Sequence, residues 1–248
     1  MSKTKVLVSG GEGKVGRVVA DCLRDHPTME LWASVDVNDD LEERIAGCDV
    51  VIDFTAHDNT VFLVQTCVKK KAPLVMGTTG HSRSEFAEVD VAGSIIPIVY
   101  SSNFSCEFVL FAEKVRNAAG RLGVGCDVEI LDFKDAEKEF SPSGTAEDIG
   151  RMIAKERGQD FDKVVCYGRN GKTGRRPPGE IGVHSIRGGE TLGEVLVKFL
   201  GKGMEEELRY KTLTRREFAE GAFVAAQWIR GKKPGLYSMR QVMGLDPV

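Results

Sequence analysis

Three glycines spaced three apart, Gly10, Gly13 and Gly16, stand between an apolar run, Lys5–Ser9, and an amphipathic segment, Val15–Leu23. A strand that turns tightly into a helix offers backbone N–H groups at the positive end of the helix dipole, where a pyrophosphate binds. The spacing is G-x-x-G-x-x-G rather than strict G-x-G-x-x-G, and any tight strand–helix turn favours glycine. Context argues for binding: Asp36 closes the next apolar run, where a carboxylate accepts from ribose hydroxyls. On this reading Gly10, Gly13, Lys14, Val15, Gly16 and Asp36 hold a dinucleotide. Val37-Asn38-Asp39 brings no arginine to a 2′-phosphate, which leans towards NADH, although Lys14 could reach such a phosphate.

Two further clusters sit at the ends of apolar runs: Gly77-Thr78-Thr79-Gly80 and Ser101-Ser102-Asn103-Phe104-Ser105. Open α/β sheets bind ligands at the carboxyl ends of their strands, and small hydroxyl residues there admit a nicotinamide. Ordinary capped turns would use the same residue types. A fourth cluster is Lys138 followed by Pro142-Ser143-Gly144-Thr145-Ala146. Ser143 before an Ala-x-x-Ile run is an N-cap, so Ser143, Gly144 and Thr145 place N–H groups at a helix start, and Lys138 makes this a carboxylate or phosphate cradle.

The elements that must position these residues follow from periodicity. Lys5–Ser9, Leu31–Val37, Asp49–Thr55, Pro73–Gly77 and Ile95–Tyr100 are apolar runs bounded by Gly, Asp or Pro, with helical segments such as Val61–Lys71 between them. That is the grammar of a parallel sheet covered on both faces. After Asn103 the texture changes: a helix over Cys106–Ala119, a strand over Cys126–Leu131, a helix from the Ser143 cap to about Arg157, then segments from Ile181 that alternate like antiparallel strands. The Gly-, Arg- and Pro-rich stretch 168–182 reads as a mobile loop, and Arg216–Ile229 as an Ala-rich helix.

The chain has 248 residues, 42% hydrophobic and 29% charged, with net charge -3. That length supports one large domain or two small ones. The charge attracts neither nucleic acid nor an anionic membrane. No apolar run reaches a membrane span or a signal-peptide core, and the six cysteines are scattered, which places the chain in the cytoplasm with reduced thiols. Histidines and cysteines lack metal-ligand spacing, so no metal is expected.

In addition to these clusters, Asp53-Phe54-Thr55, Glu129, Arg187-Gly188-Gly189, Gly193-Glu194, Arg215, Phe218-Ala219, Gly221-Ala222 and Gly235-Leu236-Tyr237-Ser238-Met239 occur in order along nearly the whole chain. Together these residues resemble the 4-hydroxy-tetrahydrodipicolinate reductase (dihydrodipicolinate reductase) family of lysine and diaminopimelate biosynthesis. The resemblance implies an α/β fold with a Rossmann-like doubly wound domain over 1–104 and 216–248. It also implies a central α+β domain over 105–215 for substrate binding and oligomerisation, and a cytoplasmic homotetramer. The activity implied is NAD(P)H-dependent reduction of a dicarboxylate or cyclic imine acid. Phe54, Thr55, Gly77, Thr78, Thr79, Ser101, Asn103 and Phe104 join the cofactor residues, and Lys138, Ser143, Gly144 and Thr145 bind substrate.

The departures matter as much. Where the family carries a His-His pair, four and three residues before its lysine, this chain has Lys134 and Asp135; Val195 and Tyr210 replace two further histidines. Lys134 is then the candidate proton donor beside Lys138. A second positive charge lowers a lysine pKa and Asp135 raises it. A solvated charge pair, in a paralogue reducing another imine or oxo acid or in a non-catalytic NAD(P)H-binding sensor or scaffold, is the competing reading.

Overall fold

The computed structural model describes residues 2–36 and 39–248. The chain divides into two compact units, residues 1–106 with 215–248, and residues 107–214. In chain order the first contains β1 (Thr4–Ser9), α1 (Gly16–Arg24), β2 (Met29–Val35), α2 (Leu41–Arg44), β3 (Val50–Asp53), α3 (Thr60–Lys70), β4 (Leu74–Met76), α4 (Arg83–Gly93) and β5 (Pro97–Tyr100). Then come α5 (Cys106–Leu122), β6 (Asp127–Lys134), α6 (Gly144–Glu156), α7 (Phe161–Val164), β7 (Val165–Tyr167), β8 (Ile181–Arg187), β9 (Gly193–Gly201) and β10 (Met204–Thr212). The chain ends with α8 (Arg216–Ile229), β11 (Gly235–Ser238) and α9 (Met239–Val242).

The first unit is a six-stranded sheet in the order β11-β5-β4-β3-β1-β2, every pairing parallel. Residues 6–8, 50–52 and 74–76 are buried throughout, as a parallel sheet with helices on its faces requires. The small residues of α8, Ala219, Ala222, Ala225 and Ala226, are all buried, and a Cβ on Gly221 would lie 1.7 Å from the Phe104 carbonyl oxygen. That glycine lets the helix backbone press against the segment after β5. The edge strand β11 is not signalled by the sequence pattern: its four residues become a strand through pairing with β5. Val37 and Asn38 lie outside the described residues, and with them the end of the expected second strand.

The second unit has a five-stranded sheet, β10-β9-β6-β8-β7. Val128, Ile130, Val195, Val197 and Phe199 face one core with Phe108, Phe111 and Val115 of α5 and Ile149 and Ile153 of α6. One expectation needs correction. β9 and β10 pair antiparallel as expected, but β8 does not pair with β9: it lies on the other side of β6, parallel to β6 and to β7, so the sheet is mixed. Period-two alternation reports which face a residue takes, not strand direction. The stretch expected as a loop loses Ile181 and Gly182 to β8, and the rest is anchored: Arg169 pairs with Glu129 (3.0 Å) and Glu180 (2.5 Å), and Arg176 with Asp127 (3.0 Å) and Glu129.

Candidate active site

The glycine turn is shaped by what side chains would strike. Gly10 adopts φ +85°, and a Cβ there would stand 2.6 Å from the Phe54 carbonyl oxygen. A Cβ on Gly16 would come within 2.0 Å of the Gly10 carbonyl, and one on Gly11 within 1.8 Å of Ser34 Oγ. Gly10 N–H donates to the Val35 carbonyl at 2.8 Å, and Gly13 N–H to the Gly10 carbonyl at 3.0 Å. α1 begins at Gly16 after Val15, with no acidic residue in its first turn. Lys14 is exposed beside it. The Asp36 carboxylate accepts from Glu12 N–H at 3.0 Å, which sets it against the turn. A bare backbone crest at a helix start, with a carboxylate alongside, fits the phosphates and a ribose of a dinucleotide. Val37 and Asn38, expected to lie near the 2′-position, are outside the described residues.

β3 ends on Asp53, which is fully buried. Thr78 Oγ1 donates to its carboxylate at 2.5 Å and Thr55 Oγ1 at 2.7 Å, while Thr55 N–H donates to Thr78 Oγ1 at 3.0 Å. Burial pushes the Asp53 carboxyl above its ordinary range, against the pull of these hydroxyls. The network ties the segment after β3 to the segment after β4. Phe54 lies across Gly77, where a Cβ would be 2.2 Å from its ring, and meets Phe104 edge-on at 5.8 Å. Beyond β5, Ser101 Oγ donates to the Asn103 carbonyl at 2.6 Å, and Asn103 Oδ1 accepts from Ser105 N–H at 2.9 Å. Phe54, Thr55, Gly77, Thr78, Ser101 and Asn103 therefore gather past the carboxyl ends of β3, β4 and β5, the end at which the glycine turn follows β1; Thr79 is exposed there and Phe104 buried.

In the second unit β6 runs beyond the expected Leu131 and ends on Lys134. Lys134 is half-buried, and its Nζ lies 2.7 Å from where a Cβ on Gly193 would be. Burial lowers the Lys134 pKa; Lys138 and Arg187 act in the same direction, while Asp132 and Asp135 oppose it. Ser143 caps α6, its Oγ accepting from Ala146 N–H at 3.4 Å. The first N–H groups of a helix have no partner within it; those of Gly144 and Thr145 have no acceptor among the described residues, and Gly144 is exposed. Lys138 is exposed on the same loop, its ammonium 5.9 Å over the ring of Phe140, itself 74% exposed. Tyr210 packs on Phe108 and Phe111 at 5.4 and 5.7 Å, an apolar use for a position where the resemblance implies histidine.

The residue that motif reading passed over is Asp132. It is fully buried and accepts from Ser143 N–H at 2.9 Å, Ser143 Oγ at 2.7 Å and Arg187 at 3.0 Å. The signal was present: in the alternation of β6, Asp132 falls in phase with Val128 and Ile130, and a charge on an apolar face demands partners.

Comparisons with known proteins identify the family. Residues 4–104 match the family described as dihydrodipicolinate reductase, N-terminus, and residues 108–243 match dihydrodipicolinate reductase, C-terminus. A 4-hydroxy-tetrahydrodipicolinate reductase of Akkermansia muciniphila is 38% identical over 97% of this chain and 98% of its own length. One from an Anaeromyxobacter species is 43% identical over 97% of each. Among solved structures, a dipicolinate-bound dihydrodipicolinate reductase from Paenisporosarcina sp. TG-14 shares the fold with a TM-score of 0.76 at 21% identity, covering 95% of this chain and 97% of that one. With both halves matched and full-length relatives well above 30% identity, the chain belongs to the dihydrodipicolinate reductase family of NAD(P)H-dependent oxidoreductases.

Proposed function

We propose that the chain reduces 4-hydroxy-tetrahydrodipicolinate, or dihydrodipicolinate, in lysine and diaminopimelate biosynthesis, taking hydride from NADH in preference to NADPH. Residues 1–104 with 216–248 carry the cofactor, and residues 105–215 carry the substrate and the contacts between subunits. Gly10, Gly13, Lys14, Val15 and Gly16 hold the phosphates, and Asp36 accepts from the adenosine ribose. Phe54, Thr55, Gly77, Thr78, Thr79, Ser101, Asn103 and Phe104 line the nicotinamide end. From 4-hydroxy-tetrahydrodipicolinate the hydroxyl leaves as water to give the conjugated imine, to whose electrophilic carbon a nicotinamide held there would supply hydride. Lys138 and the Gly144 and Thr145 N–H groups hold one substrate carboxylate, and Ser143, whose hydroxyl and N–H both donate to Asp132, sets the helix start that presents them. Lys134 gives a proton to the carbon left electron-rich and is recharged from solvent, so each turnover consumes one hydride and one proton.

The observation that carries this reading is a half-buried lysine of lowered pKa on the same short stretch as Lys138 and two helix-start N–H groups that have no acceptor among the described residues. The experiment is direct: the near-ultraviolet NADH band is followed as enzymatically generated substrate is added. No consumption of NADH or NADPH removes the assignment. A second reading, a paralogue acting on another cyclic imine or oxo acid, is favoured by Lys134 and Asp135 in place of the family's histidines; a panel of such acids separates the two.

A homotetramer is part of the proposal. Leu131, Phe133, Leu196 and Leu200 are half-buried on the sheet face turned away from α5 and α6, with Ile186 exposed beside them. Sedimentation of the purified protein tests it.

A further inference from the structure

We infer that Asp132 is a positioning residue for the reaction, fixing the carboxylate cradle and the candidate acid in one frame through Ser143 and Arg187. The inference rests on the function proposed above for those groups. Asp132 has no exposed surface, so it acts through others rather than on substrate. One carboxylate oxygen accepts a hydrogen bond from the Ser143 hydroxyl at 2.7 Å; the other accepts from Ser143 N–H at 2.9 Å and from the Arg187 guanidinium at 3.0 Å. Ser143 is the cap of α6, so the start of the helix is held to the end of β6 by two hydrogen bonds from a single residue. Arg187 extends the clamp, donating also to the carbonyls of Asp132 at 3.0 Å and Phe140 at 3.1 Å. The Phe140 bond holds the segment between Lys138 and Pro142. Lys134 lies two residues on from Asp132 along β6, on the same face of the strand. Four groups the reaction needs, Lys134, Lys138, Gly144 and Thr145, are thus referred to one buried anion. A charge without solvent keeps a single geometry when all its oxygens are satisfied, which suits donors that must meet a planar carboxylate.

The test uses the full-length protein, with dipicolinate as probe in titration calorimetry, NADH binding measured in parallel, and amide exchange read at Ala146 and Glu147, whose N–H groups bond the Ser143 carbonyl at 2.9 and 3.1 Å. Asp132→Asn is expected to weaken dipicolinate about tenfold or more, the worth of one charge-assisted hydrogen bond. It should also speed exchange at these two amides while NADH affinity stays unchanged, and Asp132→Glu should recover part of the dipicolinate affinity. Dipicolinate affinity and exchange at wild-type values in folded Asp132→Asn, or exchange accelerated evenly over the whole second unit, would overturn the inference. If Asp132→Asn does not fold, Ser143→Ala and Ser143→Thr decide. Loss with alanine and recovery with threonine support the clamp; no loss with alanine removes it. If the wild-type protein binds no dipicolinate, the proposed function fails, while the exchange at Ala146 and Glu147 still decides whether Asp132 fixes the helix start.

Discussion

Lys134 Nζ occupies the space that a side chain at Gly193 would need: a Cβ there would stand 2.7 Å from the ammonium nitrogen. Gly193 opens β9 and pairs with Thr212 of β10, so the place left for the ammonium belongs to the sheet framework. The obstructing atom is the end of a flexible chain, so Gly193→Ala should fold by displacing the ammonium rather than the backbone. The expected result is a fall in kcat of about tenfold to a hundredfold, the usual consequence of moving a reacting group by an ångström or so. NADH affinity and thermal stability should hold near wild type. Unchanged kcat would separate Lys134 from proton delivery.

The pH profile gives a second check on Lys134. A general acid must be charged, so the rate is full below its pKa and falls as pH rises through it. Burial, with Lys138 and Arg187, lowers that pKa against Asp132 and Asp135, so the basic limb should fall below the ordinary lysine value of 10.5. Lys134→His should move the limb down towards the histidine range, and Lys134→Ala should abolish turnover. Stability carries the opposite sign. Between the depressed folded pKa and the unfolded one, the unfolded chain binds more protons, so stability rises with pH through that window. Lys134→Met is accordingly expected to melt higher than wild type at neutral pH while being inactive. A profile that is flat on its basic side up to 10.5 would contradict the assignment.

On the proposed function, cofactor choice turns on Asp36. Its carboxylate is held against the glycine turn by Glu12 N–H, so an anion stands at that point of the site. A carboxylate there would accept from a ribose diol and repel a phosphate on the same sugar. Asp36→Ser should weaken NADH about tenfold and narrow or reverse the preference over NADPH, with kcat at saturating cofactor little altered. The ratio of kcat/KM for the two cofactors measures this directly; a ratio that does not move would place discrimination elsewhere, with Lys14 the next candidate.

How much of this was legible beforehand depends on whether a residue's role is local. The glycine turn was legible because clashes at Gly10 and Gly16 leave a pattern in the chain itself. The start of α6 was legible because Ser143 is a cap with a known side-chain preference. The edge strand β11 was not: it is four residues long, with Leu236 exposed, and only pairing with β5 defines it. The pairing of β8 was not legible either, since Ile181, Val183 and the exposed Ser185 alternate alike whether the neighbouring strand is parallel or antiparallel. Asp132 lies between these cases. Its phase on β6 marks it as buried, but its partners, Ser143 and Arg187, are 11 and 55 residues away, and no spacing rule joins them.

A stability prediction follows from Arg157, at the end of α6. Its guanidinium lies 5.7 Å over the ring of Phe199, yet Nε and both terminal nitrogens are buried with no hydrogen-bond partner among the described residues. Burial lowers its pKa, with Arg176 acting in the same sense against Asp127. A cation over an aromatic face returns about 0.5–2 kcal/mol. A buried charged donor left unsatisfied costs about 1–3 kcal/mol or more. The balance therefore favours removing the charge while keeping the stem on Phe199. Arg157→Met is expected to stabilise the protein by about 1–2 kcal/mol, a rise in Tm of roughly 2–8 °C for a chain of this size. Arg157→Lys, which retains a buried charge, should give no such gain. Thermal denaturation of the two variants at neutral pH decides it. A lower Tm for Arg157→Met would mean that the stacked guanidinium contributes more than its unmet hydrogen bonds cost.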